Sequence, residues 1–222
     1  MKALAIDTAT DVLALAVVNG EARIGLCLRR GLQHSPTLVP LLERLLAELA
    51  LPVGELDLIA CSVGPGSFTG IRIGLATAQG IAFATGVPLV GVSTLDALAR
   101  PFRWHAGDVF AVLDARKGKV YAASYRAGKR ASGYLDLTPD ELHAALESAD
   151  RPLLVGPDAE RIEEMAGAGA AGQSLPSSTL FDPAALLAIG IESFSREGAD
   201  PSGPHPLYLR KSEAEIESGK KR

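Results

Sequence analysis

The chain has little of several things that usually point to a function. It has only two cysteines, Cys27 and Cys61, in 222 residues. Both sit inside apolar, strand-like patterns, which argues against a disulfide-stapled secreted domain and for buried free thiols in a reducing, cytoplasmic compartment. Its four histidines, His34, His105, His143 and His205, lie far apart and form no i, i+4 pair. No metal site is therefore expected from this chain alone. Positive charge is not in excess either, with 22 Lys and Arg against 26 Asp and Glu and a net charge of −4. A protein that grips nucleic acid by itself needs a basic surface, so that class is disfavoured. The clusters Arg116-Lys117-Gly118-Lys119, Lys129-Arg130 and Lys220-Lys221-Arg222 read as solvated turns and a tail. No apolar run approaches the roughly 20 residues of a membrane span, and Asp7 interrupts any signal-like opening. Hydrophobic residues at 47% and charged residues at 22% describe an ordinary folded chain, long enough for two small lobes or one medium domain.

Glycine is concentrated at one place, residues 64–74 (GPGSFTGIRIG). A short apolar run, 57–63, precedes it like a buried parallel strand, and a proline-free stretch of helical length follows to Gly86. This is a strand-to-helix turn in which Gly64 and Gly66 permit angles forbidden to other residues and Ser67 or Thr69 caps the helix. Two readings stand: a tight turn that lets the helix sit close to a sheet, or an anion site at the helix start. The spacing matches neither the Walker loop nor the Rossmann fingerprint. Within the helix, Gly70, Gly74, Ala78 and Ala82 recur every four residues and form a small-residue face. Close approach of another backbone is the compensation expected for helical glycines, from the chain's own sheet or from a second subunit.

Taken in order, 2–7 reads as a strand ending in Asp7, followed by a turn, a strand at 11–19, an Asn19-Gly20 hairpin signal and a third strand at 21–30. Ser35 is an N-cap candidate with Pro36 behind it, opening a helix whose leucines (Leu38, Leu41, Leu42, Leu45, Leu46, Leu49) form a wide stripe. That stripe fits a helix buried on one side, or one that also meets a partner. Ser93-Thr94 caps a short helix after a strand at 87–92. The pattern restarts at 108–114, a strand that again ends in an acid, Asp114, with a return strand at 119–126. A capping-box pattern at Thr138 and Glu141 starts a later helix. The glycine-rich stretch 166–172 reads as a mobile loop, and a helix at 183–196 and a polar tail close the chain. The expected division is a first lobe, 1–106, carrying the partner-binding helices, and a smaller second lobe, 107–222, with the C-terminal helix and flexible tail. Two lobes facing each other would place Asp7 and Asp114 beside a central cleft.

The segments 5–10 (AIDTAT), His34-Ser35, 64–74, 88–93 (PLVGVS), 114–121 and Tyr208-Leu209-Arg210 together resemble the TsaB (YeaZ) family, strongly through about residue 126 and more loosely beyond. The resemblance implies an α/β actin-like ATPase fold of two RNase H-like lobes, each a mixed sheet flanked by helices. It implies a noncatalytic subunit in the formation of N6-threonylcarbamoyladenosine on the adenine 3′ of the tRNA anticodon. Its partners would be a TsaD-like catalytic subunit, a TsaE-like ATPase and a second copy of itself, with tRNA met only through the complex. The interface implied is Leu38, Leu41, Leu42 and Leu45 with Gly70, Gly74, Ala78 and Ala82. Asp7, Thr8, Gly66 and Ser67 would be relics of a phosphate cradle, with ATP held only weakly or at a complex interface. Thr94 and Leu98 stand where the related catalytic subunit carries two metal-binding histidines. No catalytic residue is assigned. The rival reading is a stand-alone ATPase or small-molecule kinase using Asp7 or Asp114 as a carboxylate for magnesium or as a base.

Overall fold

The computed structural model describes residues 1–29, 31, 34–167, 173–174 and 181–210. Most of the loop expected at 166–172, and the tail from 211 with its basic cluster, lie outside them. The first half builds β1 (Lys2–Asp7), β2 (Val12–Asn19), β3 (Ala22–Arg29), α1 (Ser35–Glu48), β4 (Leu58–Gly64), α2 (Phe68–Thr85), β5 (Leu89–Ser93) and α3 (Thr94–Ala99). The second half builds β6 (Asp108–Arg116), β7 (Lys119–Arg126), β8 (Lys129–Arg130), β9 (Leu135–Leu137), α4 (Pro139–Glu147), β10 (Leu153–Val155), α5 (Ala159–Met165), β11 (Gln173–Ser174) and α6 (Pro183–Glu197).

Each half makes its own sheet, and the two share one topology. In the first the order is β3-β2-β1-β4-β5, with β1, β2 and β3 antiparallel and β4 and β5 parallel to β1. In the second the order is β8-β7-β6-β10-β11, with β6, β7 and β8 antiparallel and β10 and β11 parallel to β6. Asp7 and Asp114 therefore occupy equivalent places near the ends of the central strands. This duplicated order is that of the actin-like ATPase fold. The local reasons are ordinary ones: Gly20 (φ 64°) closes the β2–β3 hairpin, and Gly86 (φ 74°) ends α2 in the left-handed conformation. Thr138 and Glu141 complete the capping box of α4.

Three apolar layers hold the molecule together. Leu38, Leu42, Leu45 and Leu46 of α1 and Leu75 and Ala78 of α2 pack on the outer face of the first sheet. Leu142, Leu146 and Ile162 from α4 and α5 cover the outer face of the second. Between the sheets lie α3 and α6, with Leu95, Leu98, Leu186 and Leu187 meeting residues from both.

Two expectations need correction. The C-terminal helix α6 does not join the second lobe: it packs chiefly on β1, β4 and β5 of the first sheet and on α3. A Cβ at Gly190 would press into Ala60, so the small residue lets α6 sit close to β4. Ser35 is not the cap of α1 either. The N-cap is His34, 2% exposed, whose Nε2 donates to the Thr10 carbonyl at 2.7 Å and ties the helix to the β1–β2 turn.

Glycines on α2 divide by face. A Cβ at Gly70 would fall into the Thr8 carbonyl oxygen and one at Gly74 into Thr8 Oγ1, whereas a Cβ at Gly80 meets nothing within 4 Å. Gly70→Ala should lower stability by about 3 kcal/mol, because the obstacle is backbone that cannot yield. Gly80→Ala should raise it by up to about 1 kcal/mol through helix propensity alone. Urea unfolding of the two variants checks the opposite signs.

Candidate functional site

The β1–β2 turn and the glycine loop meet at the mouth of the cleft between the lobes. Ser67 caps α2 by accepting from Gly70 N at 3.2 Å, while its own N–H donates to the Ala9 carbonyl at 2.6 Å. Thr8 Oγ1 donates to the Gly70 carbonyl at 2.7 Å. Gly66, at φ 158°, lies so close to Ala9 that a Cβ would overlap the Ala9 carbonyl. The loop is thus docked on the turn by direct hydrogen bonds, and the Ser67 N–H is already used.

The cleft is about 930 Å³ and is lined by both lobes and by the segment after α6. Of the four cradle candidates, Gly66 and Ser67 line it, and Asp7 and Thr8 do not. Asp7 is fully buried. Burial pushes its carboxyl up to about 6, and the Ser62 hydroxyl and the Ala9 N–H pull it only partly back. Oδ1 accepts from Ala9 N at 3.0 Å, but Oδ2 and Ser62 Oγ make no hydrogen bond of ordinary geometry. Ser62 is thus a nearby dipole and not a bonded partner. Asp114 does line the cleft, but Arg161 holds it at 2.8 Å and Arg116 approaches at 3.7 Å.

The cleft mouth has features the sequence reading passed over. Arg72 lies 3.7 Å from the Phe68 ring centroid and donates from Nε to Tyr208 Oη at 3.0 Å, with the two rings 5.0 Å apart. Arg210 forks onto Asp136 (2.7 and 3.1 Å) and reaches the Ala115 carbonyl, while Leu207 N donates to the Val63 carbonyl at 2.7 Å. Residues 204–210 therefore strap one lobe to the other. The motif Tyr208-Leu209-Arg210 was visible in the sequence, but a motif does not show which carboxylate its arginine meets.

The expected interface residues are mostly not at the surface. Leu38, Leu42 and Leu45 are at most 6% exposed and Ala78 is fully buried, all within the first lobe's own core. Gly70 and Gly74 face Thr8, so the chain's own sheet takes up that small-residue face. Leu41 and Ala82 are half-buried at its edge. What α2 offers outward is a second small stripe, Ala76, Gly80 and Ala84, with Phe83 94% exposed beside it and Val39 of α1 46% exposed. Its i, i+4, i+8 spacing was legible from the sequence. Thr94 and Leu98 are buried between the sheets, and Thr94 Oγ1 has no hydrogen-bond partner. Among the described residues no cluster of three His, Cys, Asp or Glu is placed to hold a metal, and no helix is long and apolar enough to cross a membrane.

Fold and cleft together define a two-lobed α/β protein of the actin-like ATPase fold in which one acid is buried and the other is ion-paired. A family model described as "TsaD: tRNA N6-adenosine threonylcarbamoyltransferase" matches residues 31–198. Similar relatives include the tRNA threonylcarbamoyladenosine biosynthesis protein TsaB of Escherichia coli, 31% identical over 96% of both chains. The protein of the same name from Bacillus subtilis is 33% identical over 99% of this chain and all of that one. Among solved structures, YeaZ from Pseudomonas aeruginosa superposes with a TM-score of 0.79 at 27% identity, covering 94% of this chain and 99% of that one. The chain belongs to the TsaB (YeaZ) family.

Asp7 gives this site a pH signature. Its folded-state carboxyl titrates near 6 against 3.8 for the ordinary group. The folded protein thus binds more protons between those values, and its stability falls as pH rises through them. The loss reaches about 3 kcal/mol above pH 6. Asp7→Asn keeps the acceptor for Ala9 N and should recover most of that stability at pH 7.5 while flattening the dependence between pH 4 and 7. Denaturant unfolding across that range measures it.

Proposed function

We propose that this chain is a noncatalytic subunit in the formation of N6-threonylcarbamoyladenosine on tRNA, and that it binds and activates a TsaD-like catalytic subunit through the outer faces of α1 and α2. The observation that carries the reading is the exposed stripe Ala76–Gly80–Ala84. A glycine in mid-helix costs about 1 kcal/mol against alanine, and among the described residues nothing packs on Gly80 to offset it. A helix from another protein, approaching closely over small residues and bordered by Val39 and Phe83, supplies the missing contact. The same face serves a homodimer, which we take as the resting form. A TsaE-like ATPase joins the assembled pair.

The rival reading, a stand-alone ATPase or kinase, needs a carboxylate presented to magnesium in the cleft. Asp7 is beneath the turn and Asp114 is already matched by arginine, so the cleft residues favour the scaffold role. ATP, in this reading, is held weakly or at an interface within the complex.

Gly80→Leu separates folding from assembly. Leucine is the better helix former, so the variant should unfold at equal or higher denaturant, yet its side chain blocks close approach. Light scattering after size exclusion, alone and mixed with the TsaD-like protein of the same organism, should show at least a ten-fold weaker complex. A Gly80→Leu chain that assembles like the parent, or a parent chain that forms no complex, sinks the reading.

A further inference from the structure

Trp104 is the chain's single tryptophan, and it is 73% exposed. Its ring stands nearly perpendicular to that of His105, at 6.1 Å between centroids, and most of the indole is left in water. The loop that carries it lies against two others. Arg103 flanks Gly128 in the β7–β8 turn, where Ala127 and Gly128 both have positive φ (48° and 73°). His105 Nε2 donates to the Arg151 carbonyl at 2.8 Å, and Arg151 reaches back to the Ala106 carbonyl at 3.4 Å. A pocket of about 250 Å³ opens here, with Arg100, Arg103, His105 and Arg130 in its wall.

Cations are in local excess at this place in a chain that is acidic as a whole. Around the loop stand Arg100, Arg103, Arg126, Lys129, Arg130 and Arg151 against Asp96, Asp108, Asp150 and Glu192. The acids nearby are each engaged: Asp108 with Arg126 at 2.7 Å, Asp96 with Arg130 at 3.6 Å, Asp150 with Arg151 at 3.4 Å, and Glu192 with Arg100. Arg103 and Lys129, on either side of the turn, form no ion pair among the described residues. The surplus is thus two cations beside one exposed indole.

We propose that this surface binds an RNA strand, with Trp104 stacking on an unpaired base and Arg103 and Lys129 meeting the flanking phosphates. An aromatic platform next to unpaired cations is the combination that single-stranded nucleic acid requires, since every base has a face to stack and every link a charge to neutralise. None of these residues belongs to α1 or α2, so RNA and a partner on those helices use separate surfaces. The inference rests on the reading above only in naming tRNA as the RNA.

The lone tryptophan makes the test direct, because the emission of the isolated chain reports on Trp104 alone. Titration with an anticodon stem-loop RNA at low salt should quench it with a Kd on the order of 10⁻⁵ M, weakening as salt rises. In a mobility assay with labelled RNA, Trp104→Ala should bind about ten-fold more weakly with an unchanged circular dichroism spectrum. Arg103→Ala with Lys129→Ala should lower the slope of log K against log salt by about one to two. Inorganic polyphosphate and anionic vesicles are the controls. No quenching by RNA up to about 200 µM, twice the weak end of the nonspecific range, overturns the proposal. Equal quenching by polyphosphate overturns the stacking role, and a response to vesicles alone overturns RNA as the occupant. Gly80→Leu keeps the two ideas apart, since it should weaken assembly and leave RNA binding unchanged: a parent chain that assembles but binds no RNA removes this inference only, and a Gly80→Leu chain that assembles like its parent while RNA binding holds removes only the scaffold reading.

Discussion

The packing of α2 against the β1–β2 turn is the constraint on which the rest of the first lobe depends. Two direct links join them, Ser67 N–H to the Ala9 carbonyl and Thr8 Oγ1 to the Gly70 carbonyl, and His34 ties α1 to the same turn at Thr10. The first two need a backbone approach that a Cβ at Gly66, Gly70 or Gly74 would prevent. The glycines that look like a phosphate loop in the sequence are therefore used to bring protein against protein. A donor that could have faced a phosphate instead faces a carbonyl, and Asp7 is sealed under the same contact.

The two lobes are also tied to one another around the cleft. In the cleft, Asp114 is held by Arg161, and the strap from Leu207 to Arg210 ties Val63 on one side to Asp136 on the other. Partly shielded ion pairs of this kind, bidentate in the case of Arg210 and Asp136, fix relative position better than they add stability. The lobes are linked three times, by α3 and α6 in the layer between the sheets and by the strap across the cleft mouth. The proposed scaffold role would need the outer helices held at a constant angle, and these links act on that angle.

Much of this was legible in the residues because the signals are local. The glycine turn, the Asn19-Gly20 hairpin, the Thr138 capping box and the duplicated strand ending in an acid each occupy fewer than about a dozen residues. What was not legible is which surface a given face meets. Helix α2 carries two small-residue stripes, and periodicity separates them without saying that Gly70 and Gly74 face Thr8 while Gly80 faces outward. The same limit misplaced α6, whose apolar residues suit either sheet until Gly190 is seen against Ala60. Asp7 looked like a cleft residue because strand register fixes its position along the chain but not the depth of the turn above it.

Separating two faces on one helix has a consequence for how such a subunit can evolve. The inner stripe is constrained by the chain's own backbone, so any enlargement there costs folding first and association second. Among the described residues the outer stripe has no such intramolecular constraint: Ala76, Gly80 and Ala84 are exposed, and a larger residue at Gly80 would leave the lobe folded and even favour the helix. A small residue at Gly80 against that local preference is therefore what argues for the proposed neighbour on this face. The exposed Trp104 bears the same relation to the second lobe, where an indole in water has no folding role. Both positions go against what the described part of the chain favours by itself, and that is the physical ground for the partner face and the RNA surface proposed above.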